Sequence, residues 1–311
     1  MVKKYVGDER MKVVYGHTDS IYCQVDSVEE AEEIVIKLNE EVRKIFPNVL
    51  GLREHPVVLE FEKYFSSLGV GATKNRNAGL VSWKDGEYLE EEEFFMTGFT
   101  AKRISETKLA KEVQITTLKM WVNGSTKKEI LDYLRMRYNN VLSGDIELNQ
   151  IIKRSSYKEE RFHVYCENCK KAFHIFEDKP LAVGEVQHQF TGAMKTGKYW
   201  KSNGKRVSFG AGLMGAYFYH HLTGNEIKDS FLFMKINQNH RQLLTHPLTG
   251  NYIRPDYIAG ILEKDFEDFT PNWEHYSEVV VRKAAPIFDA MGWDINDIKK
   301  DLNQRSLDEW W

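Results

Sequence analysis

The sequence predicts an α+β chain in which an antiparallel sheet with covering helices is followed by a mostly helical part. Three observations carry this. Short β-branched and aromatic runs in the first hundred residues are punctuated by turn residues, as in hairpins. Two segments between about 107 and 144 switch to helical periodicity. The charge then shifts: residues 151–210 hold 12 Lys and Arg against 6 Asp and Glu, a local +6 that leaves −9 on the rest of a chain whose net charge is −3.

The elements follow in order. Val13-Val14-Tyr15 and Ser20-Ile21-Tyr22-Cys23-Gln24-Val25 read as two strands joined at Gly16-His17-Thr18-Asp19, a composition suited to a tight hairpin. Ser27 and Glu30 have capping-box spacing. Behind them Val28, Ala31, Ile34, Val35, Leu38, Val42 and Ile45 recur at helical intervals until Pro47, and Glu29, Glu30, Glu32, Glu33, Glu40 and Glu41 make its solvated face. Val57–Phe65, Leu68–Gly71 and 77–81 read as strands, with 87–93 as an acidic connection. One helix is expected over about 107–121. A second starts at Thr126, with Glu129 as its box partner, and ends near Gly144. Later, 212–222 reads as a helix and 231–236 as a strand. A last helical region starts near Ser277, with a break around Gly292-Trp293.

At 311 residues the chain has the length of about two domains, and 42% hydrophobic with 29% charged residues is an ordinary globular composition, which excludes collagen-like, low-complexity and wholly disordered chains. No run approaches the roughly 18 apolar residues of a membrane span, so no membrane partner is expected. The first ten residues lack the apolar core of a signal peptide. Three cysteines are too few for a disulfide scaffold and point to a reducing cytoplasm. A net charge of −3, taken alone, argues against a stand-alone nucleic-acid binder.

The hairpin carries the chemistry. Val13-Val14-Tyr15-Gly16-His17-Thr18-Asp19-Ser20-Ile21-Tyr22 resembles the palm motif of family B DNA polymerases, usually written YGDTDS. Phosphoryl transfer to a primer hydroxyl uses two divalent ions about 3.5–4 Å apart, and magnesium prefers hard oxygen ligands. Five further segments resemble family motifs in the family's order. Leu59-Glu60-Phe61-Glu62-Lys63-Tyr64 is similar to the acidic palm strand. Thr73 to Leu80 is similar to the basic KKRYAGL strand. Gly98 to Gln114, with Lys102-Arg103 and Lys111-Glu112-Val113-Gln114, is similar to the palm-to-thumb segment. Ile151-Ile152-Lys153-Arg154 and Gly224 to Ile236 are similar to the thumb's ITK and GD-x-I-x-YV segments.

The resemblance implies the C-terminal part of a palm over 1–120 and a thumb over 121–300. It also implies Asp19 as a magnesium ligand, flanked by Thr18, and Lys74, Arg76, Lys102, Arg103, Lys153 and Arg154 as contacts to primer–template DNA. Three departures stand out. His17 replaces the motif's leading aspartate, and a neutral imidazole is a poor magnesium ligand; it either alters the chemistry or is a hydrogen-bonded residue of the sheet tip. Asn77 replaces the usual tyrosine and Ile104 the aspartate after the basic pair, so those contacts do not carry over. In the family, the exonuclease domain, the first catalytic aspartate and the finger helix precede this hairpin, and the 16 residues before His17 hold none of them. The expectation is a split, archaeal-type polymerase whose large subunit supplies the rest, active only as that complex. The alternatives are an inactive DNA-binding and clamp-tethering paralogue, or a piece of a longer polymerase.

Two further signals stand apart. Cys166 and Cys169 have knuckle spacing and are flanked by His163 and His174. That makes either a tetrahedral structural zinc site within an insertion near 160–178 or a reduced surface hairpin. At the tail, 301–311, Gln304, Leu307, Trp310 and Trp311 resemble the Q-x-x-hydrophobic-x-x-aromatic-aromatic peptide that binds PCNA-type sliding clamps. Its other reading is a tail folded back on its own thumb. The basic stretch Lys195 to Arg206 is expected as a loop, either touching duplex phosphates or merely solvated.

Overall fold

The computed structural model describes residues 12–17, 20–73, 75–158, 163–165, 172–174, 198–200, 206–208, 211–237, 244–245, 252–253 and 256–300. The chain is α+β. It divides into two compact units that are discontinuous in sequence, the first from 1–99, 116–130 and 285–294, the second from 100–115, 131–284 and 295–311.

The first unit begins with β1 (Lys12–His17) and β2 (Ser20–Gln24), an antiparallel hairpin whose last pair is His17↔Ser20. Helix α1 (Val28–Ile45) follows. Ser27 Oγ accepts the Glu30 amide at 3.1 Å, and Glu30 accepts the Asp26 amide at 2.8 Å, so the capping box closes one residue further out than the pattern suggests. Val28, Ala31, Ile34, Leu38 and Val42 form the buried stripe. Val13, Cys23, Val25 and Leu59 pack on Ile34 and Leu38, which seats the hairpin on the helix.

A three-stranded antiparallel sheet completes this unit, in the order β3-β4-β5: β3 (Lys63–Val70), β4 (Asn77–Lys84) and β5 (Glu87–Thr97). Two expectations change here. The segment 57–62 is not a strand, and β3 runs unbroken through 66 and 67 with bulges near Phe65. The backbone of Leu59 is satisfied instead by the Asn39 side chain, which donates to its carbonyl at 2.9 Å and accepts from its amide at 2.8 Å. The acidic run 87–93 is part of β5 rather than a connection. Asp85 and Gly86, at φ 52° and 97°, make the tight turn whose two central residues both need positive φ. As the edge of the sheet, β5 carries Glu90 to Glu93 exposed, and charge on an edge opposes strand-to-strand aggregation.

Helices α2 (Lys108–Val122) and α3 (Lys127–Ser143) follow. The Thr107 hydroxyl caps α2 by accepting the Ala110 amide at 3.1 Å, and Thr126 with Glu129 caps α3 at 2.7 and 3.3 Å. The second half of α2 lies on the first unit's sheet. A Cβ on Gly69 would stand 2.4 Å from the Trp121 ring, so glycine is what lets the indole reach the strand.

In the second unit, β14 (Tyr257–Gly260), β11 (Phe231–Lys235) and β6 (Lys153–Ser155) form an antiparallel sheet in that order. Helix α4 (Ala211–Thr223) packs on β14, and α5 (Trp273–Met291) starts four residues earlier than expected. Asn272 caps it, accepting the His275 amide at 2.8 Å. Gly292 at φ 66° ends it. Phe218, Met234, Ile258, Phe266 and Val280 are buried in this core. Three two-stranded antiparallel ribbons also occur among the described residues: β7 (His163–Tyr165) with β8 (Ala172–His174), β9 (Lys198–Trp200) with β10 (Arg206–Ser208), and β12 (Leu244–Thr245) with β13 (Tyr252–Ile253). The stretch expected as a basic loop thus includes a paired strand at 198–200 and the first residue of its partner, Arg206. No described helix is long and apolar enough to cross a membrane.

Candidate metal and nucleic-acid site

A hairpin of two strands is marginal on its own, and three further contacts hold this one. Tyr15 and Tyr22 are opposite each other with ring centroids 5.5 Å apart, and Tyr22 continues to Phe65 at 6.0 Å and Phe65 to Phe95 at 5.6 Å. Burial pushes the Tyr22 phenol up. The Tyr15 hydroxyl donates to Asn75 Oδ1 at 2.8 Å and accepts the Asn75 amide at 2.9 Å. Asn75 has φ 65°. Its carbonyl oxygen lies where a Cβ on Gly98, itself at φ 74°, would be only 1.7 Å away, so only glycine fits there. The Gly71 amide donates to the Arg76 carbonyl at 2.7 Å and closes the same turn.

The structure thereby joins the YGxTDS hairpin to the 74–76 segment, two motifs that the sequence left sixty residues apart. Thr18, Asp19 and Lys74 themselves lie outside the described residues, as does the side chain of His17. Arg76 is half-buried. Asn77, in place of the family tyrosine, is 1% exposed at the start of β4, so it is a core residue here. Among the described residues no group of three or more His, Cys, Asp or Glu stands together to hold a metal ion. The donor set of the hairpin motif offers one carboxylate, Asp19, which does not make a magnesium centre without further oxygen ligands.

In the second unit Lys102 and Arg103 are exposed beside a short turn of 3-10 helix, Thr100–Lys102, and Ile104 is exposed as well. A network that the sequence reading missed fixes this turn. Gln114, 3% exposed, accepts the Ala101 amide at 2.8 Å and the Thr100 hydroxyl at 3.2 Å. Lys283 donates to Thr100 Oγ1 at 2.6 Å and pairs with Glu106 at 2.9 Å, with both charged side chains largely buried. Glu112 pairs with Arg137 at 2.5 Å and accepts from Tyr133 at 3.1 Å. The Gln and Glu of Lys111-Glu112-Val113-Gln114 are therefore braces. The signal available in sequence was a glutamine, Gln114, on the apolar face of α2 four residues from both Ala110 and Leu118, all three buried.

Lys153 and Arg154 are consecutive on β6, opposite Phe233 and Leu232, so they point to opposite faces of the sheet. One surface cannot use both. The Lys153 face also carries Lys235, whose amide donates to the Tyr276 hydroxyl at 2.7 Å. His275 is half-buried nearby, and burial, then the charges of Lys235, Arg282 and Lys153, hold its imidazole down at about 4.

His163 and His174 are directly opposite in the β7–β8 register. Cys166 and Cys169 lie outside the described residues, as do Gln304, Leu307, Trp310 and Trp311.

The model of DNA polymerase family B matches residues 2–172. Among solved structures, 125 chains match. One is the family B DNA polymerase from the hyperthermophilic archaeon Pyrobaculum calidifontis, at 14% identity and a TM-score of 0.50, covering 98% of this chain and 28% of that one. At that identity the likeness is one of fold, and this chain spans under a third of that polymerase's length. No curated protein sequence matches.

The imidazole of His275 gives a test of the second unit. Unfolded, it takes up a proton near pH 6.5, whereas folded it does so at about 4. The unfolded state binds more protons between those values, so stability is fully present above pH 6.5 and falls as pH drops toward 4. Urea midpoints measured from pH 7 to 4.5 are expected to decline, and His275→Gln is expected to flatten that decline; a slope unchanged by the substitution contradicts the placement.

Proposed function

The chain belongs to DNA polymerase family B, and from that premise we propose that it is the small, C-terminal subunit of a split polymerase. In this reading it brings the last palm carboxylate and a thumb to a DNA-directed nucleotidyltransferase active only with a larger chain. The observation that carries it is the tie between Tyr15 and Asn75, which holds the YGxTDS hairpin against the turn bearing Lys74 and Arg76. A metal-binding loop and a backbone-binding turn are of use together only where a primer end must meet a metal.

Asp19 is the proposed magnesium ligand of this chain, with Thr18 and His17 beside it, and the partner chain supplies the remaining ligands. When bound, the ions activate the primer hydroxyl and steady the leaving pyrophosphate. What these residues do themselves is hold one carboxylate at the tip of a braced hairpin and place cations from Lys74, Arg76, Lys102, Arg103 and Lys153 along the duplex product. Phosphate contacts of that kind position DNA without reading sequence. His17 favours the second reading, an inactive clamp-tethering paralogue, because an imidazole replaces a hard oxygen donor.

Primer extension decides between them. This chain mixed with a large subunit carrying the exonuclease domain and first catalytic aspartate is expected to extend a primer with magnesium. Asp19→Ala is expected to lower the rate on the order of a thousandfold, the scale of several kcal/mol of charge stabilisation. Extension indifferent to Asp19→Ala removes the metal role, and no extension with any partner favours the paralogue.

We assign the tail 301–311 to a PCNA-type clamp, with Leu307, Trp310 and Trp311 as apolar anchors and Gln304 as a polar contact. Deleting 304–311 is expected to abolish clamp binding in surface plasmon resonance while leaving DNA affinity unchanged; retained clamp affinity refutes the assignment. We also assign structural zinc to Cys166, Cys169, His163 and His174. The cross-strand pairing His163↔His174 supports it, since metal binding stabilises a short ribbon directly. One zinc per chain by elemental analysis is expected, with chelation exposing 160–178 to protease. Protein free of zinc and equally resistant speaks against it.

A further inference from the structure

The loop that follows α1 turns apolar side chains into solvent. Phe46, Val49, Leu50, Leu52, Val57 and Val58 are all exposed, Val49 by 84% and Leu50 by 76%. Together they present on the order of 500 Å² of largely apolar surface, as much as the biggest apolar patch on an ordinary monomer. From 46 to 58 the only Asp, Glu, Lys or Arg residues are Arg53 and Glu54, whereas such residues make up 29% of the chain. An apolar patch depleted of charge has the composition of an interface core.

The backbone of this loop is nevertheless held from within. Asn48 donates to the Leu52 carbonyl at 2.6 Å and accepts the Leu52 amide at 3.0 Å. The Val49 amide donates to the Pro47 carbonyl at 2.8 Å, and that of Gly51, at φ 61°, to the Asn48 carbonyl at 3.2 Å. The His55 ring spans the two ends, with Nε2 2.7 Å from the Phe46 carbonyl oxygen and Nδ1 2.6 Å from that of Val57. Val57 and Val58 open the stretch whose alternation suits a strand and which has no strand partner among the described residues. A loop fixed by its own hydrogen bonds loses little freedom when a partner covers its side chains.

We infer that the loop 46–58 is the surface on which the large polymerase chain docks. The inference rests on the split-polymerase reading and names where the two chains associate. The loop belongs to the same unit as the YGxTDS hairpin, and α1 links them. The hairpin packs on Ile34 and Leu38 of that helix, and the loop starts at its C-cap, Phe46. A stable interface takes about 800 Å² from each partner, and the loop supplies more than half of that. A second copy of this chain could cover the loop through a two-fold contact, but it would bring only the same motif and no further ligand to the metal site.

Val49→Asp and Leu50→Asp, made in the full chain, test the surface at its two most exposed positions. Against a large subunit carrying the exonuclease domain and first catalytic aspartate, each is expected to weaken binding in surface plasmon resonance on the order of a hundredfold, the scale of one buried anchor. Primer extension is expected to need correspondingly more large subunit for half its maximal rate, yet to reach the wild-type rate at saturation. Ile261→Asp, at an exposed aliphatic of the second unit, is expected to change neither. Variants that keep the native circular dichroism and bind the large subunit as the wild type does overturn the docking surface while the split reading stands. A wild-type chain that does not bind the large subunit overturns the split reading and the inference with it. A wild-type dimer in sedimentation that Leu50→Asp makes monomeric, with affinity for the large subunit unchanged, gives the loop to a second copy and overturns the occupant named here.

Discussion

The first unit depends on one reciprocal pair of hydrogen bonds. The Tyr15 hydroxyl both donates to and accepts from Asn75, and in doing so fixes a two-stranded hairpin that has no third strand among the described residues. That geometry needs Asn75 in the left-handed region and a glycine at 98 to leave room for its carbonyl. A side chain at 98 would push the turn away and with it the hydroxyl's partner. The hairpin would then rest on its aromatic contacts and on its packing against α1.

The second unit uses a different device for the same end. An exposed turn bearing Lys102 and Arg103 is tethered from below by Gln114 and Lys283. These groups are buried, so each unmade bond would cost the desolvation of a polar atom rather than a bond already exchanged with water. The Lys283 ammonium paired with Glu106 is further satisfied by donating a hydrogen bond to the Thr100 hydroxyl. Surface cations gain affinity for phosphate from being held in place, since less side-chain and loop freedom is lost on binding. In the proposed reading, these tethers hold the cations that would meet the charged, repetitive backbone of DNA.

Much of this was legible in the chain itself. Capping pairs and apolar periodicity placed α1, α2 and α3 to within a residue or two, because a helix is closed by bonds among near neighbours. The Asp85-Gly86 turn was also local information and went unread, which turned β5 into a connection. Residues 57–62 misled for the opposite reason. Their alternation suits a strand, yet the partner that satisfies Leu59 is a side chain, Asn39, on a helix twenty residues back. The roles of Glu112 and Gln114 were hidden likewise, since a motif shows which residues recur together and not which of them touch the ligand.

A net charge of −3 pointed away from nucleic acid, and here the sequence and the tertiary structure divide cleanly. Composition by itself determined that acids gather on α1 and β5 while cations gather after residue 150, and motif order determined the family. Only the fold decided which cations share a face. It set Lys153 and Arg154, adjacent in sequence, on opposite faces, and set Lys153 on the face of Lys235. The reason is the two-residue period of a strand: it separates neighbours and joins residues that the chain keeps eighty apart, so the local sign of a surface is settled by register.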